Sequence, residues 1–86
     1  MVRTMTDREL LLAIGRNVRR QRLLLDITQE ELSARSGLHP TYISEVERGK
    51  RNLTVVSLFR LAGALETEPS RILELVNSSP VIADDQ

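Results

Sequence analysis

Few side chains in this sequence could carry out catalysis, and they do not cluster. The chain has no cysteine, which excludes a thiolate site, and its one histidine, His39, cannot form a zinc or catalytic cluster alone. Glu30 and Glu31 are adjacent carboxylates, but no nucleophile stands beside them. We therefore predict no catalytic residue, no metal site and no cofactor.

The stretch 29–52 carries the signals of two short helices joined by a tight turn. The residues that begin and stop these helices are Thr28, Glu31, Gly37, Pro40 and Gly49. They predict helices at about 29–36 and 40–48. This is the layout of a helix-turn-helix, in which one helix braces against nucleic acid and the next enters the major groove.

Apolar residues recur at helical spacing in the rest of the chain, and no segment alternates as a strand would. We predict further helices at about 7–24 and 55–65, and a last one that begins at Pro69. The fold class is therefore predicted to be all-α, a compact bundle of about five short helices around the helix-turn-helix.

Eighty-six residues suffice for one small domain, which we place at 7–76 between a flexible arm, 1–6, and a flexible acidic tail, 77–86. No apolar run approaches the roughly 20 residues that span a bilayer. The start of the chain lacks the apolar core of a signal peptide, so we expect a cytoplasmic location and no membrane partner. The net charge is zero, but basic residues group in two places, and such a group can still be steered to phosphate.

One arginine lies on an apolar stripe. Arg22 shares the buried face of the first predicted helix with Ile14 and Val18. A guanidinium on a buried face requires a carboxylate partner. Glu47 is the predicted partner.

The helix predicted at 55–65 has two apolar faces. Its core stripe consists of Val55, Leu58, Leu61, Ala62 and Leu65. One small protomer cannot bury a second face as well, so we predict self-association; the alternative is that Phe59 only covers the edge of the core. The predicted dimer interface continues onto the next helix and comprises Val56, Phe59, Gly63, Ile72, Leu73 and Val76.

Four segments occur in an order and spacing that identify a family: IGRNVRRQR, DITQEELSARSGL, TYISEVERGKRNLT and LFRLAGAL. With them the sequence resembles the lambda-repressor-like (Xre/Cro) helix-turn-helix family over about residues 9–76. The third segment is particularly similar to controller proteins of restriction-modification systems. The resemblance implies a non-enzymatic transcriptional regulator that controls its own promoter and binds a palindromic operator in double-stranded DNA as a homodimer.

The resemblance also implies roles for single residues. Gln29 would bind a phosphate through its amide, helped by the helix N-terminus. The residues expected to read bases are His39, Pro40, Thr41, Tyr42 and Glu45. Further DNA contacts are expected from Ser44, Arg48, Lys50, Arg51 and Asn52. Glu47 matches the structural acid of the family, whose partner falls at Arg22.

Two positions depart from the controller pattern. Pro40 has no side-chain donor, and Glu45 would either accept from a cytosine amino group or repel phosphate, so we expect a different operator from those of relatives. Two dimers side by side on one operator, and a contact with RNA polymerase, are further expectations. In an alternative interpretation, the same fold serves as an antitoxin or protein-partner module, and either the apolar face of Val56, Phe59 and Gly63 or the tail binds a toxin or polymerase subunit. Neighbouring genes would separate the two readings.

Overall fold

The computed structural model describes residues 5–75. The predicted acidic tail, 77–86, most of the predicted arm, 1–6, and the assignment of Val76 to the dimer interface therefore lie outside the described residues. Met5 and Thr6 are described and lead directly into the first helix.

The described part of the chain consists of helices and their connections, with no strand. The five helices are α1 (Asp7–Leu24), α2 (Gln29–Ser36), α3 (Pro40–Glu47), α4 (Val55–Ala64) and α5 (Pro69–Ile72). The predicted all-α fold of about five helices is confirmed. None of the helices in residues 5–75 is long and apolar enough to cross a membrane.

The helix ends form where their residues satisfy free backbone groups. Thr6 and Thr28 each cap a helix with the threonine side chain, and a glutamate three residues later bonds back to the cap. Gly37 ends α2 with a φ of 75°, and Gly49 follows α3 with a φ of 74°. These left-handed conformations cost a glycine little, so the chain can reverse after each helix.

The core lies between the helices and is drawn from all five of them and from the connections after α1 and α4. Helix α1 packs against α3 and α5, α2 packs against α3 and α4, and α4 also packs against α5. The buried core residues are Val18, Ile27, Leu32, Ile43, Val46, Leu58, Leu61, Ala62, Leu65 and Ile72.

Two sequence-based assignments near this core are wrong. Val55, predicted to be buried, is 71% exposed, because the first residue of α4 points outward, on the side of Phe59. Ile72, predicted to lie in a dimer interface, is 0% exposed. It fills the core of its own protomer, so its side chain cannot contact a second chain.

Helix α1 approaches its neighbours closely at two positions that the sequence analysis did not single out. A Cβ at Gly15 would collide with the carbonyl oxygens of Val46 and Glu47, so only glycine allows α3 to lie this close. The buried amide of Asn17 donates to the carbonyl oxygens of Ile72, at 2.8 Å, and Glu74, at 2.7 Å. These contacts fix α1 against the ends of both α3 and α5.

A buried ion pair joins α1 to α3. Arg22 Nε donates to Glu47 Oε2 at 2.7 Å and Arg22 Nη2 donates to Oε1 at 3.0 Å, as the sequence predicted. Arg22 Nη1 also donates to the Ile27 carbonyl at 2.8 Å. The hydrogen bonds to Glu47 raise the pKa of Arg22 above its usual value, although burial acts in the opposite direction. The guanidinium therefore stays charged in the folded protein and requires the Glu47 carboxylate as its counter-charge.

Removing one partner of this pair should destabilise the fold strongly. Glu47→Gln leaves a buried guanidinium without its counter-charge, and we expect a loss of about 3–5 kcal/mol in the free energy of unfolding. The measurement is urea denaturation followed by circular dichroism. Arg22→Met/Glu47→Leu, which removes both charges, should recover much of this loss.

The matched control is Glu66→Gln, which breaks the exposed Arg35–Glu66 pair at 3.4 Å. An exposed pair contributes less than about 1 kcal/mol. Equal effects of Glu47→Gln and Glu66→Gln would show that the Arg22–Glu47 pair does not hold the helices together.

Candidate nucleic-acid interface

The turn between α2 and α3 is fixed by short-range hydrogen bonds. The Ser33 hydroxyl donates to the Leu38 carbonyl, and the backbone N–H of Leu38 donates to Ser36 Oγ at 3.2 Å. Gly37 supplies the left-handed residue between them. These bonds set the angle between the two helices, and thus the direction in which α3 leaves the turn.

The first turn of α3 presents polar groups to solvent. His39 caps the helix, because its Nδ1 accepts from the backbone N–H of Thr41 at 3.1 Å. Pro40 occupies the first helical position, where no N–H is needed. The side chain of Thr41 is exposed, so its hydroxyl and methyl are both available to a base edge.

The segment after α3 folds back onto that helix. Arg51 Nη1 lies 2.8 Å from Glu45 Oε1, and the Arg51 guanidinium carbon lies 4.8 Å from the centre of the Tyr42 ring. The Tyr42 hydroxyl donates to the carbonyl of Asn52 at 3.1 Å. We call Tyr42, Glu45, Arg51 and Asn52 the α3 polar cluster. The structure gives Glu45 a cationic partner that was not predicted from the sequence.

Gln29, at the first position of α2, is connected to the buried ion pair. Its side-chain amide donates to Glu47 Oε1 at 3.0 Å. An amide nitrogen carries two hydrogens, so the second remains available for an acceptor outside the protein. The bond to Glu47 thus fixes the amide at the start of α2 without using all of its donor capacity.

The structure brings the predicted DNA-contact residues together, and none of them is buried. Arg48 and Lys50, which end this surface, form no ion pair within residues 5–75. The exposed members are His39, Thr41, Arg48, Lys50, Arg51 and Asn52. The half-buried members are Gln29, Pro40, Tyr42, Ser44 and Glu45. Donors, acceptors and positive charge therefore share one accessible surface at the start of α2 and along α3.

A separate apolar surface lies on α4. Val56 is 63% exposed and Phe59 is 61% exposed. A Cβ at Gly63 would meet no atom within 4 Å, so this glycine does not serve contact inside the protomer. Val55 and Leu73 are exposed as well. We call Val55, Val56, Phe59 and Gly63 the α4 apolar face.

Comparison with known proteins places this geometry in a family. A family model described as helix-turn-helix matches residues 18–72. The control protein C.SmaI of Serratia marcescens is 45% identical over 60 residues, which cover 70% of this chain and 71% of that protein. The uncharacterized HTH-type transcriptional regulator y4dJ of Sinorhizobium fredii is 40% identical over 67 residues, or 78% of this chain and 87% of that protein.

A solved structure agrees with these sequence relatives. The restriction-modification controller protein C.AhdI from Aeromonas hydrophila superposes with a TM-score of 0.71 at 39% identity, covering 72% of this chain and 94% of that one. The family match extends over more than half of the chain, and the relatives are regulators rather than enzymes. The chain therefore belongs to the lambda-repressor-like (Xre-like) helix-turn-helix family, and it is a DNA-binding transcriptional regulator of the controller-protein type.

Proposed function

We propose that this protein binds a palindromic operator near its own promoter as a homodimer and thereby controls transcription of a restriction-modification system. The single observation that carries the proposal is the accessible polar surface of α2 and α3, held rigid by the Arg22–Glu47 pair beneath it. The similarity to control proteins such as C.SmaI supports the biological setting.

Within this proposal, α3 enters the major groove and its first turn reads bases. Thr41 donates to a base edge or places its methyl against thymine. Gln29 donates its free amide hydrogen to a phosphate at the start of α2, where the helix dipole also favours an anion. Arg48 and Lys50 contact the DNA backbone and position the helix without reading sequence.

The α3 polar cluster supports a specific role for Arg51. An arginine free in solution loses much side-chain freedom when it binds. Here Glu45 and the Tyr42 ring already hold the Arg51 guanidinium beside α3. Arg51 in turn neutralises the charge of Glu45, which reduces the repulsion between Glu45 and phosphate. Arg51 is thus pre-positioned for a guanine or a phosphate next to the recognition helix.

The α4 apolar face supports the dimer. Phe59 and Val56 are large side chains that the protomer leaves in water, and Gly63 between them allows a second backbone to approach. A two-fold dimer would present two copies of α3 to successive major grooves roughly 34 Å apart. Two such dimers on adjacent sites, one of them contacting RNA polymerase, would then give switch-like control.

Replacing Thr41 should reduce sequence preference. Thr41→Ala is expected to cost about 1–3 kcal/mol of binding free energy at the cognate operator and little on unrelated DNA. Fluorescence anisotropy on a duplex from upstream of the gene, against scrambled competitor at several salt concentrations, measures the affinity for the operator and for unrelated DNA.

Lys50→Ala is the matched control. Loss of a phosphate contact should weaken binding to all sequences alike and should lower the slope of log affinity against log salt concentration by about 1.

Two results would count against this proposal. If the parent protein binds the operator and scrambled duplexes equally well, it does not recognise a specific sequence and the proposal is wrong. Parent-like affinity and preference in Thr41→Ala would remove Thr41 from the set of base readers.

A charge on the α4 apolar face should separate the protomers. Phe59→Glu would place an unpaired carboxylate in an apolar interface, where its desolvation is unfavourable. Sedimentation velocity should show a shift from dimer to monomer at the same protein concentration. Arg60→Glu, at the next exposed position of α4, should leave the dimer in place. A Phe59→Glu protein that still sediments as a dimer would locate the interface on another surface.

A further inference from the structure

The outer side of α1 carries an apolar patch that neither the core nor the proposed DNA and dimer surfaces use. Leu23 is 53% exposed and Leu24 is 72% exposed. They line one shallow open groove together with Arg16, Arg19 and Arg20. We call these five residues the α1 outer face. All of them belong to the last three turns of α1 and lie within one broad side of that helix.

The α1 outer face is rich in positive charge that the described protein does not neutralise. Within residues 5–75, no carboxylate lies within 4 Å of Arg16, Arg19 or Arg20. Arg20 donates instead to the neutral Oδ1 of Asn17 at 3.2 Å. A partner suited to this face must therefore offer apolar side chains next to carboxylates.

The chain itself leaves the described structure beside this face. Asn17 holds the carbonyl oxygen of Glu74 at 2.7 Å, which fixes the end of the described residues to the middle of α1. Asn17, Arg20 and Leu24 are spaced i, i+3 and i+7, so they follow one line along the helix. Leu24 lies only about 10 Å further along the helix axis than Asn17. The described chain thus ends beside Asn17, one helical turn from Arg20 and two from Leu24.

Residues 76–86 have the composition that this face requires. Val81 and Ile82 are consecutive apolar residues, and Asp84 and Asp85 follow them closely. Five residues separate Leu75 from Val81, and the six residue-to-residue steps can span up to about 20 Å, which exceeds the roughly 10 Å along the helix from Asn17 to Leu24. Arg19 and Arg20 each precede one of the leucines by one helical turn, so carboxylates just beyond the apolar pair can reach them.

We propose that residues 76–86 bind the α1 outer face of their own protomer, with Val81 and Ile82 against Leu23 and Leu24, and with Asp84 and Asp85 beside the arginines. Residues 76–86 are favoured over a separate partner molecule because they are covalently connected to Glu74, which lies beside this face. A short tether gives an effective concentration on the order of 1 mM, so contacts that are weak between separate molecules suffice within one chain. The docked segment shields two leucines from water and supplies the missing negative charge.

The test attaches a nitroxide spin label to residue 86 of this chain. The chain contains no cysteine, so Gln86→Cys gives a single labelling site. Paramagnetic broadening of methyl signals is then measured by NMR without DNA, which separates this test from the proposed operator binding. We expect the Leu23 and Leu24 methyls to broaden at least twofold more than those of Val55 and Val56, exposed residues on α4.

A second variant tests the contacts within the labelled protein. Val81→Ser/Ile82→Ser should remove the extra broadening, and 0.5 M salt should reduce it because the pairing with the arginines is screened. The matched control, Ser78→Ala/Ser79→Ala, alters the same segment outside the proposed contacts and should keep the broadening. Similar broadening on α1 and α4 in the parent protein would overturn the proposal.

Mixing distinguishes the segment's own protomer from a second copy. Isotope-labelled protein without the nitroxide is combined with unlabelled protein that carries it. Under the proposal, Leu23 and Leu24 of the isotope-labelled molecules stay sharp. Broadening in the mixture as strong as in the singly labelled sample would show that the segment binds another molecule, and the intramolecular assignment would be wrong.

Discussion

The Arg22–Glu47 ion pair is the contact on which the remaining geometry depends. It joins α1 to the last residue of α3 and, through the Ile27 carbonyl and the Gln29 amide, fixes the loop and the start of α2. A buried charge pair is stable only when its remaining hydrogen-bonding groups are satisfied. Here those additional bonds go to the element that carries the proposed phosphate contact. The interaction that satisfies the buried charges therefore also sets the distance between the Gln29 amide, the proposed phosphate ligand, and α3, the proposed recognition helix.

Much of this arrangement could be predicted because its causes are local in sequence. Thr28 and Gly37 mark the ends of α2 whatever the tertiary structure, since capping and left-handed turns depend on neighbouring residues. Arg22 was assigned an acidic partner because a guanidinium on a buried stripe requires one. The errors at Val55 and Ile72 have a different origin. Helical periodicity shows that a stripe exists, but the packing of α4 and α5 decides where it begins and which side of it is covered.

The α3 polar cluster and the close contacts of α1 could not be predicted in this way. Arg51 pairs with Glu45 only because Gly49 reverses the chain, and the direction of that reversal follows from tertiary packing. The Asn17 bonds to Ile72 and Glu74 connect residues more than fifty positions apart. Likewise, nothing in the residues around Gly15 in the sequence indicates that this glycine is required for packing. Its importance becomes visible only when the α3 carbonyl groups are placed against it.

Helix α1 packs against two other helices and leaves part of its surface exposed. Gly15 and Arg22 turn toward α3, and Asn17 turns toward the end of α5, so two sides of the helix are fixed by contacts that tolerate little change. Beyond Asn17, the line that continues through Arg20 and Leu24 toward the end of α1 makes no such contact with another helix within residues 5–75. A purely solvated face would favour charged and polar residues alone, so exposed adjacent leucines next to these arginines are not explained by solubility. The helix that supports the proposed DNA-binding surface is therefore suited to receive the chain segment that leaves beside it.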